Sequence, residues 1–185
     1  MKIKLKFLIL VLFFVSTTTF AQKFITKNGY VRFFSATSME NIDGKNKQVS
    51  CALDATTGDF VFKLLEKSFE FERALMQEHF NENYVESDKF PEATFKGKVL
   101  NIKDVNFSKP GVYKVTVEGD LTLHGVSQKI KTEGTIETKG EKINAKSKFV
   151  IKLKDYKISI PKAVADKISE NMEITVDVNL DKINK

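Results

Sequence analysis

The sequence predicts an all-β fold: a single antiparallel β-barrel of about eight strands, with one short helix between strands and a helical turn near 161–168. Strand-length segments alternate apolar and polar residues, so each has one greasy and one wet face. Turn pairs at Asn28-Gly29, Asp43-Gly44, Thr57-Gly58, Pro110-Gly111 and Lys139-Gly140 punctuate them as antiparallel hairpins. Only the stretch from Ser68 to Gly97 breaks the pattern with a helical period. One short helix cannot cover so many apolar faces, whereas curling the sheet on itself pairs its edges and gathers those faces in one interior.

Lys2, Lys4 and Lys6 precede the apolar run FLILVLFFV, and Thr19-Phe20-Ala21 supplies a small-x-small cleavage site. Residues 1–21 therefore read as a cleaved secretory signal, leaving 22–185 as one domain that is periplasmic or secreted. The run from Phe7 to Val15 is shorter than the ~20 residues of a membrane helix, and no stable span is expected after cleavage. Loss of the three leader lysines takes the formal charge from +6 to +3. The remaining lysines are interspersed with Asp and Glu, which argues against a nucleic-acid partner. At 185 residues and 42% hydrophobic, the chain has enough apolar material for one core.

Val31 and Phe33 alternate with Arg32 and Phe34, then Val49, Cys51 and Leu53 with Ser50 and Ala52, then Phe60 and Phe62 with Val61 and Lys63. Cys51, the only cysteine, forms no internal disulfide. It is either a small buried side chain or a thiol at a barrel mouth, open to oxidation or to homodimerisation. The spacing of Leu75 and His79, and of Met76 and Phe80, predicts a helix over about 72–81 that acts as a lid. Strand alternation resumes at Ala93, Phe95, Gly97 and Val99, and the parity switch to Leu100 and Ile102 predicts a bulge. Gly97, Gly119 and Gly134 fall inside strand patterns, where they allow bends.

Later strands alternate more cleanly. Tyr113, Val115, Val117, Leu121 and Leu123 share one parity. Phe149, Ile151 and Leu153 form a second stripe, with Val150 the one apolar residue on the wet side, and Met172, Ile174, Val176, Val178 and Leu180 form a third. A barrel of about eight strands either fills with its own side chains or holds one slender ligand, and these stripes alone leave both outcomes open.

Three blocks in order resemble the YceI-like polyisoprenoid-binding family: the acidic, Phe-containing strand with the helix ALMQEHFNENY and ESDKFPEATFKGKV, then GDLTLHGVSQKIKTEG, then DYKISIP followed by MEITVDVNL. The resemblance covers nearly the whole mature chain. It implies a lipocalin-like barrel around a long isoprenoid chain, such as a quinone tail or polyprenyl lipid, with no catalysis and no cofactor beyond that lipid. The expected apolar lining is Phe33, Phe69, Phe71, Phe95 and the helical Leu75, Met76 and Phe80. To these are added Tyr113, Val115, Val117, Leu121, Leu123, Phe149, Ile151, Ile174 and Val176. The alternative is a filled barrel serving as an interaction or stress-response module without bound lipid.

Chemistry has few candidates. The two histidines, His79 and His124, are the candidates for head-group contact. His79 and Glu82 stand one turn apart, but the HExxH zinc pattern is absent, and the rim of the greasy face is the preferred place for His79. His124 precedes Gly125 at a strand end, where capping a turn is favoured over meeting a ligand. Ser127 lies near His124 without an acidic third member, so neither a hydrolase triad nor a metal site is expected.

Overall fold

The computed structural model describes residues 22–183; the expected signal peptide, 1–21, lies outside the described residues. The strands are β1 (Lys23–Ala36), β2 (Asn41–Asp54), β3 (Asp59–Leu65), β4 (Glu92–Val99), β5 (Gly111–Leu123), β6 (Val126–Lys139), β7 (Lys142–Lys152) and β8 (Asn171–Lys182). All eight pair antiparallel in chain order, and β8 returns to β1 to close the barrel. Each strand pairs with its neighbour in sequence, and closure pairs the two edge strands with each other. Helix α1 (Ala74–His79) lies between β3 and β4, and a 3₁₀ turn at Lys162–Val164 falls within the expected 161–168.

The interior has two ends. At the closed end, Phe24, Leu53, Ile136, Ile143, Val178 and Leu180 are all at 0–1% exposure, and Cys51 is buried among them. Burial pushes the Cys51 thiol up, so it is a core side chain and not a thiol at the mouth. At the open end, Val31, Phe33, Leu64, Phe69, Ile151 and Met172 gather beneath α1 and the segments after β3 and β7. The outer face carries cross-strand ion pairs, among them Lys98–Asp59 at 3.3 Å, Lys146–Asp177 at 3.2 Å and Lys148–Glu173 at 2.9 Å. Such exposed pairs contribute at most about 1 kcal/mol each; they account for many of the interspersed lysines.

The ladder explains why the two ends differ. β2 pairs with β3 only from Ser50 to Leu53, and β6 with β7 only from Gly134 to Lys139, so the wall parts on both sides of the open end. The first split is sealed by the chain leaving β3: Lys45 and Glu70 exchange backbone hydrogen bonds of 3.0 and 2.8 Å, and Asn46 Nδ2 donates to the Leu65 carbonyl at 3.0 Å. The second is bridged by Ser147 Oγ donating to the Glu133 carbonyl at 2.7 Å and by Gln128 Nε2 donating to the Asp155 carbonyl at 2.8 Å.

Several local expectations are corrected. The α-helix begins at Ala74 rather than near 72, and a π-helical turn, Phe80–Tyr84, carries it past 81. Asn28-Gly29 is a register shift inside β1, and Asp43-Gly44 lies inside β2, where the Phe33 ring covers Gly44. The β1–β2 turn is instead held by the Thr37 hydroxyl oxygen, which accepts from the Glu40 amide at 3.1 Å. The parity change after Val99 is a strand end followed by the 3₁₀ turn Ile102–Asp104, not a bulge. Gly97 and Gly119 pair directly with no register shift; a Cβ on either would collide with the facing backbone and the Phe95 ring, so they serve close approach rather than bending.

Candidate functional site

Strand alternation sends Val117 inward and leaves Glu118 on the outer side, and the inward stripes of the open half enclose a cavity of about 500 Å³. That lies within the ~300–1,000 Å³ of small-molecule sites. Its upper wall is an aromatic cluster: Phe33 meets Phe69, Phe71 and Phe80 at ring-centroid distances of 5.1, 5.6 and 5.2 Å. Leu121, Leu123, Phe149, Ile151, Ile174 and Val176 continue the wall, and Phe60, Phe62, Phe95 and Val117 carry it toward the closed core. Inward positions on β6 and β7 add two short polar side chains to the wall, Thr132 and Ser147, whose hydroxyls lie within 3.2 Å of each other and whose strand partners are Val117 and Val176.

Most of the expected lining is brought together. Tyr113 and Val115 are the exceptions: they share the inward parity but pack with the closed-end core, below the cavity. Leu75, Met76, His79 and Phe80 all border the opening, and Leu75 is 61% exposed, so α1 forms a rim with one side in water. Arg73, just before α1, pairs with Glu40 of the β1–β2 turn across this rim, and Lys167 joins it from the segment before β8.

His124 does not reach the cavity. It sits at φ +50° in the β5–β6 turn, with Nε2 2.6 Å from Glu86 Oε2, Nδ1 3.1 Å from the Tyr156 carbonyl, and its ring against Phe90 at 4.6 Å. The hydrogen bond with His124 holds the Glu86 carboxyl below its ordinary range. His124 is thus a clasp joining three segments of the open end, in keeping with a turn role rather than head-group contact.

The inward parity of β3 brings into the cavity wall residues outside the expected lining, one of them acidic. Phe60, Phe62 and Leu64 face inward, and Glu66, next in that parity, is also inside at 1% exposure. Its Oε1 has no hydrogen-bond partner among the described residues, and burial alone raises its carboxyl to about 8. Other missed wall residues, Ile158, Val164 and Ile168, lie in irregular chain before β8, where no periodicity marks a face. Among the described residues no group of His, Cys, Asp and Glu is placed to hold a metal ion, and no helix is long and apolar enough to cross a membrane.

Solved structures share this architecture. The chain is similar to a polyisoprenoid binding domain from Saccharophagus degradans implicated in plant cell wall breakdown, with a TM-score of 0.76 at 16% identity, covering 88% of this chain and 99% of that one. It is also similar to BcnA of Burkholderia cenocepacia, with a TM-score of 0.67 at 16% identity over 82% of this chain and 95% of that one. A YceI protein of Campylobacter jejuni follows with a TM-score of 0.59 at 19% identity, over 77% and 85%. No curated protein matches the chain. The structural likenesses speak for the fold; the sequence itself matches the model of the YceI-like domain over residues 17–180, and the chain belongs to that family.

Proposed function

We propose that this barrel binds and carries or stores a long apolar lipid of the isoprenoid type, without catalysing a reaction on it, outside the cytoplasm. The observation that carries this reading is the hollow, overwhelmingly apolar open half of the barrel, walled by Phe, Leu, Ile and Val and bordered by α1. Burial of a hydrocarbon chain there is favourable by ~0.8 kcal/mol per methylene, so affinity grows with chain length and fit rather than with polar contacts. Membership of the YceI-like family and the likeness to a polyisoprenoid binding domain support the same ligand class. Export rests on the Lys-rich, apolar and small-x-small start of the chain. The closed half, where the interior is packed with side chains, is the part of the molecule that favours the filled-barrel alternative.

The test is mass spectrometry of a solvent extract from protein purified without detergent, paired with titration of a fluorescent polyprenyl probe. A stoichiometric isoprenoid, or saturable uptake of the probe by emptied protein, is the expected result. A clean extract together with no uptake would overturn the proposal.

A further inference from the structure

Glu66 is anomalous for a lipid-lined wall. It leaves β3 in the inward parity, inside the split where β3 has parted from β2, and its backbone is fixed there: its amide donates to the Pro91 carbonyl at 2.9 Å and its carbonyl accepts from the Phe69 amide at 3.1 Å. Asn46, the other fully buried polar side chain at this split, is satisfied by Leu65 and Gln48. The Glu66 side chain makes no hydrogen bond or ion pair with any described residue, yet it borders the cavity. The other ionisable groups on that wall are Glu40, Arg73, His79, Tyr84 and Lys167, of which Glu40 and Arg73 pair with each other. A buried carboxyl without a partner is costly and is offset when a ligand supplies the missing hydrogen bond.

We propose that Glu66 is where the cavity recognises the polar end of its ligand: the carboxyl donates a hydrogen bond to a carbonyl or hydroxyl oxygen, selecting lipids with a neutral, oxygen-bearing head over phosphorylated ones. This rests on the lipid-binding reading of the same cavity and specifies its head group. A proton on Glu66 at neutral pH makes it a donor, and burial supplies that proton by disfavouring the charged form. A pyrophosphate brought to the same place would add anionic charge in a low-dielectric pocket with no cation paired to it. The position of Glu66 just past the end of β3, on the wall that Leu75 and Met76 also border, puts the head at the open end and leaves the rest of the cavity, toward Val117 and Phe95, for the chain.

The experiment compares geranylgeraniol, a benzoquinone bearing the same chain, geranylgeranyl pyrophosphate and the chain-matched hydrocarbon, bound to the parent, Glu66→Gln and Glu66→Leu. The expected result for the parent is neutral-headed lipids about tenfold tighter than the hydrocarbon, the worth of one hydrogen bond, with the pyrophosphate weaker than both. Glu66→Gln keeps a donor and most of the preference; Glu66→Leu binds the hydrocarbon and the neutral heads alike.

Tm against pH provides an independent readout. Between about 4.5 and 8 the folded chain keeps a proton that the unfolded chain has lost, so this residue's contribution to stability falls as pH rises through that window and is level above it. The Tm of the parent relative to Glu66→Gln should fall accordingly. A pyrophosphate-first ranking, which would place the head at Arg73 and Lys167, overturns the proposal while leaving lipid binding intact. So does an unchanged ranking in Glu66→Leu, or a flat Tm difference if that variant does not fold. Failure of every chain to bind overturns the lipid-binding reading itself.

Discussion

Phe24, Val178 and Leu180 in the closed half are wholly inaccessible, whereas Leu121, Phe149, Ile174 and Val176, inward residues of β5, β7 and β8, border the cavity and are only partly buried. Both sets come from strands with the same alternation. In the closed half the loop carrying Ile102, Val105 and Phe107 folds in as a plug, with Phe107 stacked on Phe24 at 5.4 Å. In the open half two strand pairs part, and the covering segment, α1, buries none of its residues. Stability thus concentrates at one end and accommodation at the other, a division that suits a carrier because ligand exchange then need not disturb the core.

The sharpest way to break this contrast is a pair of truncations. Leu180→Ala leaves a void in close-packed surroundings and should cost about 2–5 kcal/mol in urea unfolding, while Phe149→Ala, already facing empty space on one side, should cost roughly half as much. Equal losses would mean that the open half is as tightly packed as the closed one.

A smaller effect is expected at the clasp. His124→Ala removes contacts to Glu86 and the Tyr156 carbonyl and should cost about 1–2 kcal/mol. Amide exchange should quicken around 86–90 and 154–158 and stay unchanged in the closed-half strands; uniform quickening would show that the two ends unfold as one. Because the Glu86 carboxyl is held below its ordinary range, the stabilisation it draws from the clasp is present above about pH 4.5 and is lost as pH falls through its lowered value.

The smallest change in stability belongs to the rim. Met76→Glu should alter unfolding by about 0.5 kcal/mol or less, since a rim side chain can turn its charge to water, yet weaken uptake of a polyprenyl probe several-fold. Unchanged uptake, or equal loss of stability and uptake, would make α1 a plug instead of a lid.

How much was legible follows the range of the interaction concerned. The inward stripe from Leu121 to Leu123 and the stripes of β7 and β8 were readable because consecutive side chains on a strand point to opposite faces whatever the rest of the chain does. The same rule places Glu66 inside, two residues beyond Leu64, although an acidic residue type by itself points to a solvated position. Tyr113 and Val115 share the inward parity, but their depth along the barrel, with the closed-end core, is not encoded in it. Asn28-Gly29 and Asp43-Gly44 read as turns because their residue types permit turns, but pairing of β1 with β2 kept both in the sheet.

By itself, then, the sequence determined an antiparallel barrel, the interior face of its clean strands and the helix beneath which the opening lies, all consequences of local periodicity and of the need to cover apolar faces. Only the tertiary structure decided which half is hollow, that His124 ties loops together, and that Glu66 stands without a partner. Each of these depends on residues far apart in the chain: Asn46 against Leu65, Glu86 against His124, Glu133 against Ser147. Whether a buried group is satisfied, and whether a stripe meets another stripe or empty space, is set by what the fold brings opposite it, and strand periodicity carries no record of that.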